Sequence, residues 1–357
     1  MNKVTTKPTN TNAAQSPFRH WLRNIFSDWD RTQLAISFVI LVILAIMPLF
    51  VHSPYYMCII ILAVLYAYVG ISWNIIAGFA GQLLIAHIIF VAFGAYTTIV
   101  LNNTFGISPW IGLPIAGLVA AMLGAVVAFI TLRYGLKADY FALFTIALMV
   151  ALKTLFLKWD FVGGAVGMGL RLNEPSFAKM IFPNKEPYLY IALGLAFLGL
   201  VVQFLIYRSK MGKYFFAIRE DESAAAALGV NTSLYKTYAL LISSAMAGIG
   251  GGFYVMYVTF VEPPQVFDLA LNVELVMAGP IIGGLGSLLG PLLGALINKP
   301  LAELIRGYLS VTRSGSSLIV YGLFLILAVL FMPRGVSGVI HTAYLKLRNR
   351  ISVEEKK

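Results

Sequence analysis

His87, Glu274, Lys299 and Glu303 are ionisable residues set inside long apolar runs, where a charge at the bilayer centre costs about 2.5–3.5 kcal/mol on insertion scales. Each therefore needs a chemical reason. Glu274 or His87 carrying a coupled proton would suit an ion-driven transporter. Lys299 and Glu303 stand four apart, a spacing that joins opposite charges along one helix face, so a structural ion pair is the reading for them. Glu274 falls near the outer end of its run and is expected at the interface. Lys153, near the end of another, is expected to snorkel.

No catalytic constellation competes with these residues. The chain has no His-Glu-x-x-His, no Gly-x-Ser-x-Gly and no clustered aspartates of a lipid-phosphate enzyme, which disfavours a membrane-embedded enzyme. It also lacks Gly-x-x-x-x-Gly-Lys-Ser/Thr: Gly283-Gly-Leu-Gly-Ser287 has no lysine and lies in an apolar run. Nothing in it is built to cradle nucleotide phosphates. The single cysteine, Cys58, excludes an intrachain disulfide and a cysteine-built metal site. We expect no catalytic residue, no metal ligand and no cofactor on this chain.

The elements that hold these residues are written for lipid. Of 357 residues, 59% are hydrophobic and 11% charged, against about 25% charged in an ordinary soluble domain. A hydrocarbon core of about 30 Å needs roughly 20 apolar residues per helix, and ten runs meet or approach that length: 33–51, 54–76, 82–101, 109–132, 140–157, 188–207, 237–259, 268–285, 288–306 and 315–332. The expected fold is an all-α polytopic membrane protein of about ten transmembrane or partly re-entrant helices. It divides into a tail over 1–32, a membrane domain over 33–340 and a second tail over 341–357. The net charge of +11 points to no nucleic acid, because 18 of the 26 Lys and Arg fall on the tails and alternate loops of one face. By the positive-inside rule both termini and the 208–236 loop are expected in the cytoplasm.

Two glycine-dense breaks echo each other: Ala77-Gly-Phe-Ala-Gly-Gln-Leu-Leu-Ile-Ala-His87 and Ala278-Gly-Pro-Ile-Ile-Gly-Gly-Leu-Gly-Ser-Leu288. Glycine permits close helix approach and non-helical backbone, and broken backbone at membrane depth persists only where protein or a water-filled cavity satisfies it. Interrupted helices in corresponding places point to a translocation path.

Between two long apolar runs lies a charged insert, Arg208 to Asn231. Met211 to Ile218 carries Tyr214, Phe215 and Phe216, a set suited to a membrane surface or a groove. Glu220-Asp-Glu-Ser supplies acids ahead of Ala224 to Leu228, favourable at a helix start, and Gly229 is a helix stop. Asn231-Thr-Ser offers caps for the next span. The expected product is a short helix lying along the membrane, made to enter a cleft on another protein.

The insert, with Ala-Ile-Arg-Glu-Asp-Glu-x-Ala-Ala-x-x-Leu-Gly-Val-Asn from Ala217, closely resembles the cytoplasmic loop of permease subunits of branched-chain amino-acid ABC importers of the LivM type. Ser72-Trp-Asn-Ile-Ile-Ala-Gly-Phe-Ala-Gly-Gln82, Ile282-Gly-Gly-Leu-Gly-Ser-Leu-Leu-Gly-Pro-Leu-Leu-Gly-Ala295, Phe331-Met-Pro-Arg-Gly-Val-Ser-Gly338 and Gly163-Gly-Ala-Val-Gly-Met-Gly169 extend the resemblance over about 34–340. It departs at Leu84 and Ala86, where the family usually has serine and glycine. These bulkier apolar groups would narrow whatever passes there. It departs again at Pro280, expected to kink its segment.

The resemblance implies a bacterial inner-membrane importer that carries branched-chain or related amino acids, with urea, short amides or another small polar solute as alternatives. Its partners would be two cytoplasmic ATPases holding ATP and Mg, a second permease subunit of related fold and a periplasmic binding protein. Met211, Gly212, Phe216, Ile218, Arg219, Glu220, Asp221, Glu222, Ala225, Leu228 and Gly229 would couple to the ATPase. Asn74, Gly78, Gly81, Gln82, His87, Gly283, Gly284, Gly286 and Ser287 would line the path, His87 packing against the opposite half.

Overall fold

The computed structural model describes residues 28–135, 138–171, 174–309 and 316–354. Most of the expected N-terminal tail (1–27), Lys137, Arg313 and the last three residues lie outside these. The chain runs through α1 (Asp28–Ile46), α2 (Pro54–Trp73), α3 (Ile88–Phe105), α4 (Pro109–Arg133), α5 (Ala138–Lys158) and α6 (Glu186–Arg208). Two short helices follow, α7 (Lys210–Glu220) and α8 (Glu222–Ala227), and then the long α9 (Thr232–Val258). The remainder is α10 (Pro263–Val266), α11 (Leu269–Asn272), α12 (Ala278–Gly283), α13 (Gly290–Leu309), α14 (Ser316–Phe331) and α15 (Gly335–Glu354). Strands β1 (Met168–Gly169) and β2 (Phe260–Val261) pair antiparallel, Met168 opposite Val261.

Proline opens α2 behind Ser53, where its fixed φ suits the first helical position and its missing N–H costs nothing. Every side chain from Ala63 to Trp73 is buried, as a helix that is apolar all round requires. With the π-turn Asn74–Phe79 that prolongs it, α2 is 89% buried, whereas α5 is 28% and the Leu318–Leu345 run 11% buried. The core is therefore wrapped around α2, and α1, α5, α14 and α15 present apolar flanks outward.

Small residues set the close approach of α3, α4 and α9. A Cβ on Gly94 would strike the Gly248 carbonyl, one on Gly251 the Val91 carbonyl, and one on Gly248 the Ala120 side chain. Where lipid removes the hydrophobic drive between helices, such backbone proximity and the dispersion contacts it allows hold them together.

Eight helices among the described residues are long and apolar enough to cross a bilayer, and Leu269–Gly283 is a shorter apolar helix. Two of the ten expected runs differ from simple spans. The expected 268–285 span is a composite of α11, a π-turn at Val273–Met277 and α12. The expected 288–306 span begins at Gly290 and carries Lys299, Glu303 and Arg306 on one helix, which keeps it out of the apolar set. The expected 82–101 span starts at Ile88 because 80–87 is not helical. Pro280 follows a π-turn in which the Ala278 N–H reaches back five residues to the Val273 carbonyl, so the ladder has already widened where proline lacks its donor.

Candidate functional site

The two breaks meet, and each is held by an asparagine from the other half. In the first half α2 and its π-turn end at Phe79; Gly81, at φ +69°, turns the chain. Residues 82–87 then run back along α2, so that the Trp73 indole donates to the Leu84 carbonyl at 2.8 Å and His87 sits beside Ser72. Seven residues of helix separate Ser72 from Phe79, about 10 Å at 1.5 Å per residue. The segment therefore re-enters the bundle before α3 begins. Two of its backbone groups are met by Asn272: the Ile88 N–H donates to Oδ1 at 2.9 Å, and Nδ2 donates to the Ile85 carbonyl at 2.5 Å.

The second break mirrors this arrangement. Gly284 (φ +116°) and Gly286 (φ +79°) turn the chain after α12. The Gly286 N–H donates to Asn74 Oδ1 at 2.7 Å, while Asn74 Nδ2 donates to the Ser287 carbonyl at 3.0 Å. Gln203 Nε2 donates to that same carbonyl at 3.0 Å. The Ser287 hydroxyl accepts from the Gly290 N–H at 2.9 Å, and Gln33 Oε1 accepts from the Leu288 and Leu289 N–H groups. These bonds cap the start of α13. Irregular backbone inside the bundle is thus satisfied by side chains, the condition under which it is tolerated at membrane depth.

Asn74 opens one π-turn and Asn272 stands directly before the other. A family model described as "Branched-chain amino acid transport system / permease component" matches residues 55–329, a range that takes in both turns and both breaks. The chain belongs to that family. It is 30% identical to the high-affinity branched-chain amino acid transport system permease protein LivM of Escherichia coli strain K12, over 90% of this chain and 79% of that protein. It is 26% identical to a probable branched-chain amino acid transport permease protein LivH of Methanocaldococcus jannaschii, over 69% and 80% respectively. A nucleoside ABC transporter permease, NupC of Lactococcus lactis, is 23% identical over 46% of this chain and 56% of its own length. No solved structure matches the chain.

Within this permease the residues expected along the path come together at one junction. Asn74, Gly78, His87, Gly283 and Gly284 are buried, Gln82, Gly286 and Ser287 half-buried, and Gly81 exposed. The hydrogen bond and ring contact of His87 are to its own half: Ser72 at 3.0 Å and, edge to face, Phe90 at 5.4 Å. The Ser72 hydroxyl proton goes to the Val69 carbonyl at 2.6 Å, so His87 Nε2 carries the proton of the Ser72 contact and Nδ1 is bare, without a partner in the structure. Leu84 and Ala86, the departures from the family pattern, are fully buried in packed interior. Two apolar cavities lie elsewhere. One of about 210 Å³ sits between α1 and α6, and one of about 510 Å³ lies beside Trp110, Pro114 and Tyr190; no expected path residue lines either.

The insert of the permease is two helices and not one. Ser209 caps α7, accepting from the Gly212 N–H at 3.1 Å. Gly212, Phe215 and Ile218 turn into the chain's own bundle, and Phe216 packs on Phe79 at 5.1 Å and on Tyr207 at 5.7 Å. Asp221 caps α8, its carboxylate accepting from the Ser223 hydroxyl and from the Ser223 and Ala224 N–H groups at 2.6–3.0 Å. The Ser223 hydroxyl first, and then the two amides, hold this exposed carboxyl below its usual value. Glu222 pairs with Lys236 at 2.5 Å, Gly229 ends the unit at φ +86°, and Asn231 caps α9. Ala225 is buried, while Lys213, Ala217, Arg219 and the run 220–224 are exposed together with Ala226, Ala227 and Leu228, Leu228 being 85% exposed. Arg219 reaches back, its guanidinium donating to the Gly78 carbonyl at 2.6 Å; Met211 is half-buried.

The Lys299–Glu303 pair forms at 2.5 Å and belongs to a larger set. Glu274 is not interfacial but buried, held by Lys299 at 3.2 Å and by the Arg306 guanidinium. Arg306 also faces Glu303 at 3.5 Å, and the Lys299 ammonium lies over the Tyr66 ring. Two cations and two anions cancel, and the two buried members, Lys299 and Glu274, each face opposite charge, as charges removed from water require. Sequence reasoning missed Asn272, Gln33, Gln203 and Arg306. The available signal for Asn272 was a lone asparagine directly ahead of a glycine-dense break, as Asn74 stands ahead of the other.

Proposed function

We propose that this chain is the transmembrane subunit of an ATP-driven importer, forming half of the pathway for branched-chain or related amino acids across a bacterial inner membrane. The family match over 55–329 and the likeness to LivM and LivH permeases support that reading. The single structural observation that carries it is the α7–α8 unit: anchored inward by Phe215 and Ile218, it leaves alanines, Leu228 and a set of charged side chains around Glu220 uncovered. That surface suits a cleft on a soluble ATPase. The Lys and Arg distribution supports a cytoplasmic position for the unit and both termini. ATP and Mg are held by two partner ATPases, a second permease completes the path, and a periplasmic binding protein delivers the solute. The nucleoside relative makes other small polar solutes the second reading, and the ligand of the cognate binding protein separates the two.

An ion-coupled mechanism is disfavoured by the same geometry. Glu274, the acid that could carry a coupled proton, is committed to two cations. Vesicles holding this chain without an ATPase should show no uphill uptake under a proton gradient; uptake there would support the ion-coupled alternative. Leu228→Arg should reduce ATPase co-purification at least tenfold, about 1.4 kcal/mol, while the chain still inserts. Undiminished association in that variant would remove the docking assignment.

A further inference from the structure

The α7–α8 unit is joined to the two breaks by one polar arm. The carbonyl of Gly78 lies in the last turn of the α2 π-extension, where the ladder runs out: the Ala80 N–H goes to the Ile75 carbonyl and the Gln82 N–H to the Ile76 carbonyl. Arg219 supplies the missing donor at 2.6 Å, a cation at a helix C-terminus where the dipole favours it. The arm also has a built passage. A Cβ on Gly81 would stand 2.9 Å from Arg219 Cγ, and one on Gly286 2.5 Å from Arg219 Nη1. Gly81 belongs to the first break and Gly286 to the second. Gly78 itself abuts the second break, since a Cβ there would lie 2.7 Å from the Gly286 N–H nitrogen. One guanidinium therefore occupies the point where α7, the first break and the second break touch.

We infer that Arg219, an exposed residue of α7 whose guanidinium turns back to the broken backbone, is a positioning residue, a strut that transmits displacement of α7 to both breaks, and not a contact to the ATPase. This rests on the docking reading of the α7–α8 unit. The apolar anchors Phe215, Phe216 and Ile218 fix α7 to the bundle as a whole, whereas Arg219 alone among the described side chains of α7 hydrogen-bonds the broken backbone. Two glycines, Gly81 and Gly286, keep the space that the arm fills, while Gly78 keeps the space taken by the Asn74 side chain and the Gly286 backbone, which explains side chains absent at positions 78, 81 and 286 without invoking an open lumen there.

The test uses the full chain assembled with its companion permease and ATPase, with Cys58→Ser as background. Spin labels are placed singly at Ala217→Cys on α7 and Leu83→Cys in the first break, both exposed. ATP-vanadate trapping should change both spectra when Arg219 is present. In Arg219→Gln the label at Ala217 should respond as before, and the response at Leu83 should fall at least fivefold. Arg219→Lys, which keeps one cationic donor, should recover part of it. An unchanged Leu83 response in Arg219→Gln overturns the strut. Loss of the Ala217 response together with ATPase co-purification in that variant also overturns it, because Arg219 would then act at the partner. Absence of any response at Ala217 in the parent chain sinks the docking reading instead.

Discussion

Replacing Asn272 by alanine isolates what one clamp contributes. Asn272 is fully buried and makes two bonds to the first break, from the Ile88 N–H at 2.9 Å and to the Ile85 carbonyl at 2.5 Å. Alanine leaves a buried donor and a buried acceptor, each costing about 1–3 kcal/mol in a water-soluble protein. Interhelical hydrogen bonds in membranes average about 0.6 and reach about 1.7 kcal/mol, because the unfolded chain in lipid also finds partners. The Ile85 to Ile88 segment is a turn that leads into α3, where first-turn N–H groups have no intrahelical acceptor, so the upper membrane figure applies to each bond. The expected loss is about 3 kcal/mol, slightly more than a hundredfold in the unfolding equilibrium. Detergent-driven unfolding of the purified chain, followed by far-UV circular dichroism, reads the global term. Amide exchange at Ile88 reads the local one. Asn272→Ala within about 0.5 kcal/mol of the parent, with Ile88 protection unchanged, would refute the clamp.

Three further outcomes follow from neighbouring geometry. Lys299→Met strips two buried or half-buried carboxylates of a partner and should cost about 3 kcal/mol in the same unfolding assay; adding Glu303→Gln should restore at least half, since the Glu274–Arg306 pair remains. Gly251→Ala drives a methyl group onto the Val91 carbonyl and should destabilise by about 1–3 kcal/mol, whereas Gly194→Ala meets nothing within 4 Å and should be neutral. The Asp221 cap should depend on pH in one direction: its folded pKa lies below the ordinary value of 3.8, so its stabilisation is present above that value and lost as pH falls through the depressed one. Amide exchange at Ala224 should accelerate there, and Asp221→Asn, a neutral acceptor, should abolish that pH dependence.

Much of the fold was legible because its signals are local. Most of the long apolar runs, the Gly229 stop and the Asn231 cap each depend on a few neighbouring residues, and these stand where expected. The breaks were legible as places but not as structures. Glycine density says that backbone departs from helix, while the partners that satisfy it come from residues about 200 positions away: Asn272 for Ile88 and Asn74 for Gly286. Glu274 failed for the same reason. Position within its run suggested an interface, and only the return of α13 brings Lys299 and Arg306 beside it. In the insert, the aromatic residues were read as a surface for a partner because nothing local distinguishes a partner's groove from the chain's own; Phe79 and Tyr207 complete that groove from within.

The crossed clamps carry a mechanical consequence. Each break takes part of its backbone satisfaction from an asparagine at the π-turn of the other half, so neither can be rebuilt alone without leaving amide or carbonyl groups unmet. A displacement that opens one clamp leaves Asn74 or Asn272 with unmet groups, which favours rearrangement of the second. The two breaks thus behave as one element with few discrete arrangements rather than two independent hinges. Opposing both asparagines in a double-mutant cycle measures this directly. Asn74→Ala and Asn272→Ala should couple by about 0.5 kcal/mol or more, although their bonds share no atoms. Additivity within about 0.3 kcal/mol would instead make each break an independent hinge, and would leave concerted movement to be imposed from α7 alone.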